Sequence, residues 1–119
     1  MKDNPLYRKS YDFALKMVLL YNDLTKNNNE YILSKQLLKS GTSIGANIAE
    51  ANGAISKADF SSKISIAYKE SLETKYWLNL LKDSKYIDSE KANILIIDAD
   101  ELSKIMFSIL KTTRINSNT

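Results

Sequence analysis

The chain has 119 residues, of which 44% are hydrophobic and 26% charged, a balance typical of a single globular domain. It contains neither histidine nor cysteine. This excludes imidazole bases, histidine-dependent triads, disulfides and nearly all zinc sites. We therefore expect a non-enzymatic protein without a metal or other cofactor. No apolar run is long enough to span a membrane and no leader is evident before Pro5, so we expect a cytoplasmic protein.

The first helix is predicted over residues 5–26. Asn4 can cap its free N–H groups, and Pro5 suits the first helical position. Most of its apolar residues form two adjacent stripes, but Leu15 and Leu19 fall toward the polar side. A helix that buries one face does not need them there, so they indicate a second contact surface.

The second helix is predicted over residues 30–52 and has a small residue at every fourth position: Gly41, Gly45 and Ala49. Glycine inside a helix costs roughly 1 kcal/mol relative to alanine. Two glycines one turn apart therefore indicate the close approach of a neighbouring helix. Because the third helix also has a small and polar centre, we expect these two helices to pack together there. Gly53 suits a left-handed cap at the end of the second helix.

The last two helices begin at clear capping residues. Ser56 caps a helix predicted over residues 57–84, and Asp88 caps one predicted over residues 89–113. The polar residues 114–119 are expected to form a frayed tail.

Four amphipathic helices with short connections predict an all-α fold. One proline and three glycines in the whole chain leave the helices long and uninterrupted. The predicted architecture is a single domain over residues 1–119, an antiparallel up-down-up-down four-helix bundle with left-handed packing.

Three motifs occupy the second and third helices. They are S-G-T-S-I-G-A-N at residues 40–47, S-K-A-D-F at 56–60 and K-E-S-L-E-T-K-Y-W-L at 69–78. In these motifs the chain resembles the bacterial four-helix-bundle proteins named after intervening sequences of 23S ribosomal RNA genes. The resemblance implies a homopentamer, a barrel of five bundles around a central channel. A relative in diversity-generating retroelements is an accessory protein that binds the reverse transcriptase and nucleic acid.

The charge balance permits a nucleic-acid partner without requiring one. The net charge is +3 and the pI is near 9.0. Basic residues that share polar helix faces are candidate phosphate contacts without base readout. These candidates are Lys9, Lys16, Lys35, Lys39, Lys111 and Arg114. Repetition in an oligomer would multiply such contacts, and the alternative is an ordinary solvated face.

The polar residues in the middle of the bundle allow two interpretations. Glu50, Glu70 and Glu73 could converge on a divalent metal and support a carboxylate-dependent hydrolase. Alternatively, the side chains form a buried polar layer in which Lys69 pairs with Glu73 and the others satisfy one another. The layer would comprise Asn47, Glu50, Lys69, Glu73 and Tyr76.

Tyr76 and Trp77 cannot share one helix face, so one of them is expected at a subunit interface. Leu15, Leu19 and Trp77 are the candidate oligomer contacts. The leading hypothesis is a non-enzymatic homo-oligomer, a pentamer by resemblance, that acts as an accessory or scaffold protein and binds RNA or DNA electrostatically. The alternative is a protein-interaction module that recruits a nucleic-acid enzyme, such as a reverse transcriptase, without binding nucleic acid itself.

Overall fold

The computed structural model describes residues 4–117, with side chains described as far as Thr113. It contains four helices: α1 (Pro5–Asn28), α2 (Leu33–Asn52), α3 (Lys57–Asp83) and α4 (Ser89–Ser117). They form a rod of 51 × 23 × 22 Å. Consecutive helices pack closely along the rod, whereas α1 and α4 contact each other less. The predicted all-α four-helix bundle is confirmed.

The capping residues set the starts of three helices. The Tyr7 N–H donates to Asn4 Oδ1 at 2.8 Å, and the Asp59 N–H donates to Ser56 Oγ at 3.0 Å. At the start of α4, the Lys91 N–H donates to Asp88 Oδ2 at 3.2 Å. Each bond satisfies a donor that the first helical turn leaves free.

Helix ends differ from the predicted ones for local reasons. The prediction of a left-handed cap at Gly53 was wrong, since its φ is −101°. The left-handed residues are Asn29, with φ of 53°, and Lys85, with φ of 71°. Helix α4 runs through residue 113 to Ser117, in a stretch without glycine or proline to stop it. Of the predicted tail, residues 118–119 lie outside the described residues.

Helix α2 begins at Leu33 rather than at residue 30, because Glu30 acts as its cap from outside. One carboxylate oxygen accepts from the Leu33 N–H at 2.9 Å, and the other accepts from the Ser34 N–H at 2.6 Å. Glu30 is only 8% exposed. An acid at this position also complements the positive end of the helix dipole.

Replacing Glu30 by glutamine is expected to lower the free energy of unfolding at pH 7 by about 1 kcal/mol, because a neutral amide accepts weaker hydrogen bonds. Burial raises the pKa of the carboxyl, but hydrogen bonds from the Leu33 and Ser34 N–H groups bring it below the ordinary value of 4.5. The stabilisation is therefore complete above pH 4.5 and is lost as the pH falls through the folded pKa.

Urea unfolding of both proteins across the acid range checks this expectation. The wild type and Glu30→Gln should converge in acid, and a gap independent of pH would contradict it. Glu90→Gln is the control, since Glu90 is an exposed acid in the first turn of α4 and should contribute only a few tenths of a kcal/mol.

The core is apolar along most of the rod and contains hydroxyl groups at its centre. Leu78, Leu81 and Met106 are fully buried. Between α2 and α3, Thr74 Oγ1 donates to Ser40 Oγ at 3.0 Å, and between α3 and α4 the Ser71 and Ser103 hydroxyls lie 2.7 Å apart. No buried side-chain nitrogen or oxygen of the described residues lacks a partner, so hydrogen bonds offset the cost of desolvating these small polar groups.

The two glycines of α2 allow close approach, but the neighbour is α1. A Cβ added to Gly41 would lie 2.4 Å from Met17 Cγ, and one added to Gly45 would lie 3.3 Å from Ser10 Oγ. Both Ser10 and Met17 are fully buried. The expected contact between the small centres of α2 and α3 is made instead by the Ser40 and Thr74 hydroxyls.

Candidate interaction surfaces

Apolar side chains lie on the outer side of α1 and continue onto α4. Leu15 and Leu19 are exposed, Leu19 by 68%. They continue a four-residue spacing from Tyr11, with Val18 beside them. Leu19 and Ile94 also line one depression of about 300 Å³ between the helices. We call this the α1–α4 apolar surface, made of Tyr11, Leu15, Val18, Leu19, Ile94 and Ile97, all of them exposed.

Two of the lysines predicted to contact phosphate form ion pairs with acids of α4. Lys9 Nζ donates to Glu101 Oε1, and Lys16 Nζ donates to Asp98 Oδ2 at 2.9 Å. These pairs bridge the loosely packed seam between α1 and α4 and show that the two helices run in opposite directions. A phosphate would have to displace a carboxylate from each lysine, so neither is a ready anion site.

The other predicted phosphate contacts are scattered. Lys35 and Lys39 are exposed on α2, and among the described side chains neither belongs to an ion pair. Lys111 is exposed near the end of α4. The side chain of Arg114 lies outside the described residues. The structure therefore does not gather the six predicted residues into one surface.

The three acids of the metal hypothesis have separate surroundings. Glu50 pairs with Lys63 at 3.1 Å, and Glu73 accepts from Trp77 Nε1 at 3.0 Å. Burial and repulsion from Glu73 raise the pKa of Glu70, and Lys39 partly offsets this rise. Among the described residues, no group of three or more acids is close enough to hold a metal ion.

The structure does not contain the predicted buried polar layer. Glu50, Lys69, Glu73 and Tyr76 are exposed, and the half-buried Asn47 donates to the Ser43 carbonyl at 2.8 Å in its own helix. These residues lie between the buried and the exposed faces of their helices, where their side chains can reach solvent. Apart from Glu30, which caps α2, the buried polar side chains of the described residues are the smaller hydroxyls.

Tyr76 and Trp77 point in different directions, as their adjacent positions require. Their rings contact edge to face at a centroid distance of 4.9 Å. Trp77 is partly buried and packs against the core, whereas Tyr76 is 59% exposed. Tyr76 is therefore the outward-facing residue of the pair, and Trp77 presents only part of its surface to a partner.

A groove between α3 and α4 was missed by the sequence interpretation. It has a volume of about 310 Å³ and is lined by Tyr68, Leu72, Lys75, Asp100, Ser103, Lys104 and Phe107. The signal in the sequence is the position of Leu72 and Phe107, which fall outside the core stripes of their helices.

The motif-based resemblance is supported by comparison with known proteins. Residues 2–108 match the family described as 23S rRNA-intervening sequence protein. The chain belongs to this family. A crystal structure from Bacteroides thetaiotaomicron, of a protein of unknown function from the S23 ribosomal protein family, is 47% identical with a TM-score of 0.88. The match covers 89% of this chain and 98% of that one. Among curated proteins, none matches the chain.

Membership of the family confirms the resemblance and brings no assigned activity with it. The relation to the accessory protein of retroelements stays a prediction. Within residues 4–117, no helix has the length and apolar character needed to cross a membrane.

Proposed function

We propose that the protein is a non-enzymatic homo-oligomeric scaffold or accessory protein whose copies meet through the α1–α4 apolar surface. The observation that carries this proposal is the position of Leu15, Leu19, Ile94 and Ile97, all exposed, on neighbouring helices. Of these, Leu19 and Ile94 line one depression, and exposed apolar side chains grouped in this way are typical of protein interfaces. By resemblance to the family, we propose that five copies form a pentamer. The proposed location is the cytoplasm.

The non-enzymatic part of the proposal rests on the side chains that remain for chemistry. The sequence supplies no histidine and no cysteine. Two acids of the predicted carboxylate cluster have other partners: Glu50 pairs with Lys63, and Glu73 accepts a hydrogen bond from Trp77. Both carboxylates are thus already engaged by neighbouring side chains, which supports a structural role for them.

Leu19→Glu is expected to reduce the mass in solution from that of an oligomer to the 13.5 kDa of one chain, because it introduces an unpaired charge into every interface. Multi-angle light scattering at micromolar concentration measures this mass directly. Ile66→Glu is the matched control, since Ile66 is exposed on α3 and lies away from the α1–α4 apolar surface. A wild-type protein that is already monomeric would refute the proposal.

Electrostatic binding of RNA or DNA is a second candidate property. It is favoured by the exposed Lys35 and Lys39, which lie one turn apart on α2 and have no ion-pair partner among the described side chains. The alternative is recruitment of a nucleic-acid enzyme, such as a reverse transcriptase, by protein contacts alone. Binding that falls steeply with salt would favour nucleic acid, and binding unaffected by salt or nuclease would favour the protein partner.

A further inference from the structure

The groove between α3 and α4 combines an exposed aromatic ring with a fixed support. Phe107 is 53% exposed, and its ring centroid lies 5.9 Å from that of Tyr68 at an interplanar angle of 42°. Tyr68 itself packs against the core. Since both rings stand on the middle turns of long helices, Phe107 is held in place and loses little conformational freedom when a flat ligand stacks on it.

The same groove carries an excess of positive charge. Lys75 and Lys104 share the carboxylate of Asp100, at 3.0 and 3.1 Å, so one acid compensates two bases. Hydrogen bonds from these two lysines lower the pKa of Asp100, and the acid is therefore ionised at neutral pH. Lys104 remains largely exposed, with 78% of its side chain accessible.

Further lysines extend the positive charge along the groove in both directions. Toward the α3–α4 turn, Lys82 reaches across to Asn93 Oδ1 at 3.3 Å. Toward the other end, Lys111 follows Phe107 by one helical turn. From Asn93 to Lys111 the groove spans about 27 Å at a rise of 1.5 Å per residue. Asp100 is the acid that lines the groove beside these four lysines, whereas the lysines of the α1–α4 seam each have their own acid.

We propose that the α3–α4 groove binds single-stranded nucleic acid, with a base stacked on Phe107 and the backbone phosphates along Lys75, Lys82, Lys104 and Lys111. This inference rests on the nucleic-acid candidate of the proposed function, and it moves the site from the exposed Lys35 and Lys39 of α2 to the groove between α3 and α4. An exposed aromatic ring among basic side chains suits a single strand, because one base can stack on the ring while the neighbouring phosphates contact the lysines.

A single strand fits these residues better than a duplex or an acidic protein segment. In a duplex the base faces are stacked on each other, so Phe107 would contribute nothing and only the phosphates would bind. An acidic segment would use the lysines without needing a planar partner for Phe107. The exposed ring, supported by Tyr68, is the feature that selects the unpaired base.

The test is fluorescence anisotropy with a labelled twelve-nucleotide oligothymidylate and nuclease-treated protein over a salt series. Phe107→Leu keeps an apolar side chain but removes the ring, and it should weaken binding by about 5- to 150-fold, the range for loss of stacking on one base. Lys104→Gln should make the negative slope of log affinity against log salt shallower by about 0.7, because one phosphate is no longer neutralised.

Two matched controls separate the groove from the rest of the surface. Ile66→Ala removes an exposed apolar residue elsewhere on α3, and Lys26→Gln removes the same charge from an exposed position in the last turn of α1. Neither should change the affinity by more than twofold. Equal loss with Lys26→Gln and Lys104→Gln would show that the charge acts without a defined site, and this would overturn the proposal.

Three other results would also overturn it. They are no binding of the single strand at low salt, full affinity in Phe107→Leu, and tighter binding of a duplex or of an oligoglutamate peptide than of the single strand. Light scattering on the same preparations keeps the two proposals separate. A monomeric mass refutes the oligomeric scaffold and leaves the groove intact, whereas loss of binding by an intact oligomer refutes the groove alone.

Discussion

Leu78→Ala is expected to lower the free energy of unfolding by about 2–5 kcal/mol, the range for large-to-small changes in a close-packed core. Leu78 is 0% exposed in the last third of α3, a helix that packs against both α2 and α4. Removing three carbons leaves a cavity that the surrounding helices can fill only in part. Since a domain of this size is stable by about 5–15 kcal/mol in total, the loss is a large fraction.

Urea unfolding monitored by circular dichroism measures this change. Leu80→Ala is the matched control, because it makes the same chemical change two residues along the same helix at a position that is 36% exposed. Its expected cost is below about 1 kcal/mol. Equal losses for the two variants would mean that the exposed side of α3 contributes as much as the core, and the bundle described here would then be wrong.

The helices could be predicted from the sequence because their signals are local. Asn4, Ser56 and Asp88 each cap N–H groups within three residues of themselves, and the apolar stripes repeat with the helical period. The start of α2 was harder to predict from the sequence. Glu30 caps it across two intervening residues, a reach that depends on the conformation of the connection rather than on residue spacing.

Contacts between helices were predicted less well, because a stripe on one helix does not identify its partner. Lys9 and Lys16 share a polar face, but their acids Glu101 and Asp98 lie more than eighty positions away in the chain. The sequence also did not show how deeply each polar side chain is buried. Asn47 occupies a core stripe by spacing, yet its amide is satisfied by its own helix, and the layer expected around it is exposed.

The glycine pair of α2 shows what residue spacing can predict and what it cannot. A small residue at every fourth position correctly indicated close approach of another helix, since an added Cβ at Gly41 would meet Met17 at 2.4 Å. The partner was α1 rather than α3, because both flank α2 and the spacing does not distinguish them. Gly53 had no comparable constraint, and glycine's freedom there was not used for a left-handed conformation.

Gly41→Val is accordingly expected to lower the free energy of unfolding by about 3 kcal/mol, the upper end of the range for overpacked cores. The new side chain would overlap with Met17 Cγ and Sδ, and Met17 is fully buried. Replacing glycine within a helix recovers at most about 1 kcal/mol of backbone propensity. The steric term therefore decides the sign.

A double-mutant cycle with Met17→Ala identifies the cause. Met17→Ala alone should cost about 2–5 kcal/mol, but it removes the atoms that valine would meet. The combined variant should then be more stable than the sum of the single losses predicts, by about 0.5–3 kcal/mol. Gly53→Ala is the control, since its Cβ would meet nothing closer than the Glu50 carbonyl at 3.7 Å. Strict additivity of the two substitutions would contradict the close approach of α1 and α2, because unconnected sites add and sites in contact do not.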